Sequence, residues 1–273
     1  MNGMTVILRK ELRDAVQGRW LLVFAGVFGL LALTLSLVDR DAGTTSAQSF
    51  NRTTAGLINL CLLIVPLLAL VLGAGAIAGE RERGTLAGLL ANPVTTTEVL
   101  LGKYFGLVIS VWMAIALGFG AAALLVSPIN PLTGAGHYLL FAALSAGLAT
   151  AMVSIGVLIS VLSNGRTKAM AIAVAVWFGL VLFYNLGAIG LALAVSSSGQ
   201  TLLVAVLGNP VESVRILAVL SLEPDLAILG PLGSYLSNEF GQGRSAMLLG
   251  GNLVAWAAAP LALAIYIFRR QDA

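Results

Sequence analysis

Side chains able to bind something are gathered in one stretch of this chain. It is Gly79-Glu80-Arg81-Glu82-Arg83-Gly84-Thr85-Leu86, running on through Leu89, Leu90, Pro93 and Val94 to Glu98 and Lys103. A long apolar run precedes the four consecutive charges and another follows shortly after. Each such charge would cost about 2.5–3.5 kcal/mol at a bilayer centre, so four together lie outside the lipid. After Gly84 the spacing of Leu86, Leu89 and Leu90 gives a short helix one apolar stripe. Asn92-Pro93 ends it, because the residue before a proline is pushed out of the α region. Thr95 and Glu98 then fit the capping box of the next helix start. The chemistry on offer is docking rather than catalysis: an apolar seat with a charged rim. An exposed ion pair contributes only about 0–1 kcal/mol, so the apolar contact must dominate.

No catalytic, cofactor or metal residue is expected elsewhere. One cysteine, Cys61, and one histidine, His137, preclude a disulfide framework and multi-ligand zinc or copper sites within the chain. The G-x-x-x-x-G-K-[ST] phosphate loop, G-x-S-x-G and H-E-x-x-H are all missing. Met113, Met152, Met170 and Met247 are scattered through apolar runs, where packing explains them. A 59% hydrophobic, 10% charged composition and a mean hydropathy of +0.98 mark an integral membrane protein.

The elements that must hold the docking loop follow from hydropathy. Residues 4–18 form an amphipathic interface helix, with Met4, Leu8, Leu12 and Ala15 on one face and Arg9, Lys10, Arg13 and Asp14 between them. Six spans follow at about 20–38, 57–78, 100–126, 137–162, 169–195 and 247–268. Residues 39–56 read as a water-facing loop and 196–246 as an external segment with shallow re-entrant pieces. The pairs Gly75/Gly79 and Gly102/Gly106 are expected to let helices pack closely. Asn209-Pro210-Val211-Glu212 is a helix start, and Val211, Val214 and Leu217 give that helix an apolar face, with Glu212 and Arg215 pointing elsewhere. The fold class is therefore an all-α polytopic membrane protein in one transmembrane domain.

Six spans put both termini on one side. With the termini inside, 11 of the 15 Lys and Arg flank the inner side and only Arg40, Arg52, Arg215 and Arg244 the outer. The positive-inside rule then makes the 80–98 loop and both termini cytoplasmic. No acid or base falls in the middle of a predicted span, which disfavours a proton- or sodium-coupled carrier. A pathway would have to use groups such as Ser110, Ser145, Thr150, Ser154, Ser160, Tyr184 and Asn185. Of these Asn185 is the most polar, and an interhelical hydrogen bond is the plainer reading of it.

The string from Glu80 to Lys103, with the N-terminal amphipathic helix and the six-span layout, resembles the ABC-2 type permeases. These are membrane subunits of ABC transporters whose ATPase is a separate chain. The resemblance implies a type V exporter-like fold in the bacterial inner membrane, with a second copy of the chain and membrane lipid around it. Two ATPase subunits would carry the ATP and Mg, none being bound by this chain. It further implies that Glu80, Arg81, Glu82, Arg83, Gly84, Thr85, Leu86, Leu89, Leu90, Pro93, Val94 and Glu98 form the ATPase-coupling element. A narrower likeness, carried by Asn209 to Arg215, is to permeases serving copper-site maturation of nitrous oxide reductase. It implies a periplasmic β-helical partner, with Val211, Glu212, Val214, Arg215 and Leu217 as the contact. Tyr184 and Asn185 are the pathway residues to test, and no nucleic-acid partner is expected. The alternatives are an ion-coupled carrier acting without an ATPase and a membrane-embedded transferase. The second lacks the clustered acids or histidines it would need.

Overall fold

A computed structural model describes residues 3–18, 46–90, 94–126, 135–184, 199–222 and 229–271, with single positions 23, 26, 27 and 30. All regular structure among them is helical. The predicted first span, 20–38, lies outside the described residues except for Val23, Gly26, Val27 and Leu30, which are helical. The other five predicted spans each overlap a helix long and apolar enough to cross a bilayer, and residues 185–195 of the fifth span lie outside the described residues.

The helices in chain order are α1 (Gly3–Gln17), α2 (Ser46–Glu82), α3 (Thr85–Leu90), α4 (Thr96–Val126) and α5 (Ala135–Leu162). Then come α6 (Arg166–Trp177), α7 (Gly199–Leu207), α8 (Pro210–Leu222), α9 (Gly230–Glu239) and α10 (Gly241–Gln271). Helix α2 begins at Ser46, so half of the expected water-facing loop at 39–56 is its polar first turns. A helix needs no hydrophobicity to extend into water, which hydropathy alone cannot register.

The tightest crossing is between α2 and α5. A Cβ on Gly156 would stand 2.5 Å from the Leu70 carbonyl, and one on Gly73 would stand 2.7 Å from that of Val153. The backbones touch there, and Leu70, Ala74, Leu148, Met152 and Val153 close around the contact. Gly75 and Gly79, expected to form such a crossing, instead face the Arg166 side chain of α6. Gly102 and Gly106 do seat a helix: α1 lies on them, with Met4 O and Ile7 3.0 Å from the Gly102 Cβ position. Helix α1 thus packs on α4 through Ile7 and Ala15, while Arg9, Lys10, Arg13 and Asp14 stay exposed as expected.

Several polar side chains inside the bundle link helices or bond within their own helix, while the buried Ser145 and Ser245 hydroxyls make no hydrogen bond of ordinary geometry among the described residues. Ser154 Oγ donates to Ala257 O at 2.6 Å, and Trp177 Nε1 to Leu63 O at 3.0 Å. Ser160 Oγ accepts from the Ile77 and Ala78 N–H groups at 2.9 and 2.8 Å. Ser110 and Thr150 donate to carbonyls one turn back in their own helices. Each of these hydroxyls already has a partner within the fold, which a pathway-lining group would not need.

The segment expected outside the membrane enters the bundle. Helices α7 and α8 meet at a 118° bend at Gly208-Asn209. Asn209 caps α8 by accepting from Val211 N at 2.9 Å, and its Nδ2 donates to Leu180 O at 2.7 Å. That carbonyl belongs to Phe178–Phe183, where α6 continues in wide π-type turns. From α10, Asn252 and Trp256 both donate to Leu207 O. Helix α8 is apolar nearly all round: Val211, Val214 and Ala218 join the main core, and Ile216, Leu217 and Leu220 a second core with α7, α9 and α10. A helix apolar on both faces is an interior helix. Replacing Asn209 with alanine removes both the cap and the link to Leu180, and should cost about 1–2 kcal/mol. The loss reads out as a lower melting temperature in detergent, and an unchanged value would show the bend to be held without it.

Candidate functional site

Three of the four charges at the end of α2, Glu80, Arg81 and Glu82, bond to other helices, and Arg83 stays exposed. Glu80 is 7% exposed and its Oε1 lies 3.2 Å from Lys103 Nζ, itself 5% exposed. Lys103 also holds Glu11 of α1 at 2.7 Å, so one buried ammonium joins α1, α2 and α4. The other Glu80 oxygen accepts from Thr85 Oγ1, whose hydroxyl also reaches Glu80 O at 3.3 Å, fastening the start of α3 to the end of α2. Arg83, one turn on, is 3.5 Å from Glu80 and mostly in water.

Arg81 turns the other way. Its Nη1 donates to Ser163 O at 2.7 Å and Val161 O at 3.3 Å, satisfying carbonyls left open at the end of α5. Its Nη2 donates to Gln271 Oε1 at 2.9 Å, and Gln271 Nε2 returns to Val161 O, so the C-terminus of α10 joins the same knot. Glu82 accepts from Arg166 N at 2.5 Å and so supplies the acidic cap of α6. Three side chains of one helical turn therefore bind α4, α5, α6 and α10, and reach α1 through Lys103.

Beyond them Gly84 takes φ +69°, the left-handed turn that ends α2 and lets α3 leave at an angle. Thr85–Leu90 is helical as the leucine spacing predicts, and Leu86 packs on the main core. Leu89 and Leu90 lie on that helix, but their side chains, like residue Pro93, fall outside the described residues. Val94 is half-buried against Gly3 of α1. The capping box is present: Glu98 N donates to Thr95 Oγ1 at 3.2 Å, and Thr95 N to Glu98 Oε2 at 2.9 Å.

This is a short amphipathic helix on a charged knot at the membrane face, in a bundle with an interface helix and a re-entrant pair before its last span. The ABC-2 family transporter model matches residues 5–273. The chain belongs to the ABC-2 transporter family. It is 33% identical to the probable ABC transporter permease protein NosY of Stutzerimonas stutzeri, over 99% of both chains. The corresponding protein of Pseudomonas aeruginosa is also 33% identical, over 99% of both. The chain is thus an ABC-2 permease, a NosY-like membrane subunit whose family works with an ABC ATPase and as a dimer. Its place is a membrane, as its apolar helices require.

Two expectations about the ABC-2 permease need restating. Glu80, Arg81 and Glu82 were expected at the rim of a docking surface, and their main contacts instead bind the permease to itself. Val211, Val214 and Leu217, expected to meet an external partner, are 0, 0 and 7% exposed and packed against α5 and α10. Glu212 is 8% exposed and pairs with Arg215 at 2.8 Å, so an ion pair stands within the bundle. Tyr184 is half-buried at the end of the π-type turns, and Asn185 lies outside the described residues. The partners missed in the sequence are Glu11, Gln271 and the carbonyls of Val161 and Ser163. The signal for Glu11 was present: Ile7, Glu11 and Ala15 recur every four residues, a row that puts Glu11 on the face toward α4.

Proposed function

We propose that residues 80–98 are the coupling element through which a separate cytoplasmic ABC ATPase moves this permease. The reading rests on one observation: the turn that carries α3 is bonded to α1, α4, α5, α6 and α10. A push on α3 enters a joint to which most of the bundle is tied, rather than a free loop. The apolar stripe of Leu86, Leu89 and Leu90 with Pro93 is the seat for the ATPase, and Arg83, exposed at the edge, its rim. Both termini are then cytoplasmic, in the bacterial inner membrane, with ATP and Mg on the two ATPase subunits of a complex built on a permease dimer.

Leu89→Asp puts a charge into that seat and leaves the residues of the knot unchanged. It is expected to insert normally but to abolish permease-dependent stimulation of the ATPase, read as phosphate release in proteoliposomes. Wild-type stimulation by this variant would refute the assignment.

The finer proposal concerns the far side. The likeness to NosY supports a role in copper-site maturation of nitrous oxide reductase, with a periplasmic NosD-like partner. Because α8 is interior, the docking surface there is better sought at the α9–α10 corner, where Ser234, Ser237, Asn238, Glu239, Gln242 and Arg244 are exposed. Glu212, buried and paired with the partly exposed Arg215, supplies a carboxylate within the bundle to the alternative of an ion-coupled carrier. Transport by the purified chain without any ATPase would favour that alternative.

A further inference from the structure

A cavity of about 580 Å³ opens beside the knot, between α1, α2, α4 and α6. It adjoins the coupling element, since Arg83 and Thr85 also line it, while Leu86 of the apolar seat does not. Its walls change character along their length. At the membrane face stand Lys10, Asp14, Arg83 and Arg166, together with the Glu11–Lys103–Glu80 triad. Further along α2, α4 and α6 the lining is Val71, Leu72, Leu107 and Met170.

The charges are not all spent. Glu11 and Glu80 are paired with Lys103, and Arg83 with Glu80. Arg166 donates only its backbone N–H, to Glu82, and its guanidinium has no ion pair or hydrogen bond among the described residues. Its side chain lies along the trough left by two missing side chains, with Cδ 3.7 Å from the Gly79 Cβ position and Nε 3.9 Å from that of Gly75. Lys10 likewise has no ion pair among the described residues, and Asp14 is the one acid opposite them. Two free cations against one free carboxylate leave a net positive mouth above an apolar wall.

We propose that this cavity binds a phosphate-bearing group, held at the mouth by Arg166 and Lys10. The apolar wall favours a membrane source, an anionic phospholipid whose headgroup enters the mouth and whose first methylenes follow Val71, Leu72, Leu107 and Met170. Basic pockets between membrane helices take such headgroups. A guanidinium adds two-pronged recognition of phosphate that an ammonium cannot. The small residues Gly75 and Gly79 make the room, and a side chain at Gly75 would meet Arg166 and Met170 in the trough.

The test uses the full chain in nanodiscs of phosphatidylcholine doped with phosphatidylglycerol, followed by native mass spectrometry of the retained lipid. Wild-type protein should keep phosphatidylglycerol over phosphatidylcholine, and Lys10→Gln with Arg166→Gln should lower that retention by about thirtyfold at low salt. Lys168→Gln, which removes a cation that does not line the cavity, should retain it. Pyrophosphate titrated into the detergent-solubilised chain gives the second arm. If it displaces the lipid only at high concentration, the membrane is the source; if it binds as tightly as the lipid, the phosphate group is confirmed and its source is soluble. Equal binding of both probes by wild type and by the folded double variant overturns the site. ATPase stimulation by that variant is read separately, so failure of the lipid site and failure of the coupling assignment remain distinct.

Discussion

Lys103→Met is expected to be among the most damaging single substitutions in this permease. The ammonium is 6% exposed and within 3.2 Å of two carboxylates on two other helices. Removing it leaves Glu80 and Glu11 facing each other, with only the mostly solvated Arg83, 3.5 Å from Glu80, as counter-charge. Breaking a buried pair from one side costs about 3–5 kcal/mol, far more than the pair contributes net. The apparent melting temperature of the detergent-solubilised chain should fall sharply, and α1 should become open to proteolysis first, because Glu11 is its polar tie to the bundle. Neutralising the whole triad, with Glu11→Gln and Glu80→Gln added, should recover much of the loss, since no uncompensated charge then remains buried. That non-additivity separates an electrostatic knot from simple packing. If Lys103→Met melts like the wild type, the triad does not hold the bundle.

The second large effect is expected at Gly156. Its Cβ would meet the backbone of α2 at three points, the Leu70 carbonyl at 2.5 Å and Ala74 N and Gly73 Cα at 3.0 Å. Backbone atoms cannot rotate away as a side chain can, so the two helices must separate. Overpacking of a close core typically costs about 1–3 kcal/mol, and Gly156→Ala should lie at or above the upper end. Gly120, which has nothing within 4 Å of its Cβ position, is the control: Gly120→Ala should be neutral or stabilising by up to about 1 kcal/mol. The pair is compared by thermal melting and by yield of folded monodisperse protein. Similar melting of both variants would show that the α2–α5 contact is not the close crossing described here.

The two glycine pairs show how far a motif can be read. Gly102/Gly106 and Gly75/Gly79 have the same spacing in equally apolar runs, and only the first seats a helix backbone. The decisive crossing uses Gly73 and Gly156, 83 residues apart in the chain and in no shared motif. Spacing tells which glycines share a face of their own helix and is silent about what stands opposite. The same silence covers Glu80 to Glu82. Alternating charge after an apolar run shows that the turn is outside the lipid. The destinations of those charges depend on Glu11, Gln271 and Arg166, remote positions that a local reading has no reason to join.

Properties carried by a continuous stretch of residues were legible before any fold was known. Membrane insertion follows from apolar runs, the site of the coupling loop from four charges that lipid would exclude, and helix α3 from a 3–4 leucine spacing. The start of α4 follows from the hydrogen bonds that Thr95 and Glu98 make with each other. All of these are decided within one continuous run of chain, from a single turn for the cap to about 20 residues for a span. That the charged turn is a joint among six helices, and that α8 is interior, emerges from long-range packing alone. Both are contests between distant surfaces. The outward-facing charge of Glu212 and Arg215 was outweighed by two apolar faces of α8 that α5 and α10 could cover, and the pair they form let the helix be buried.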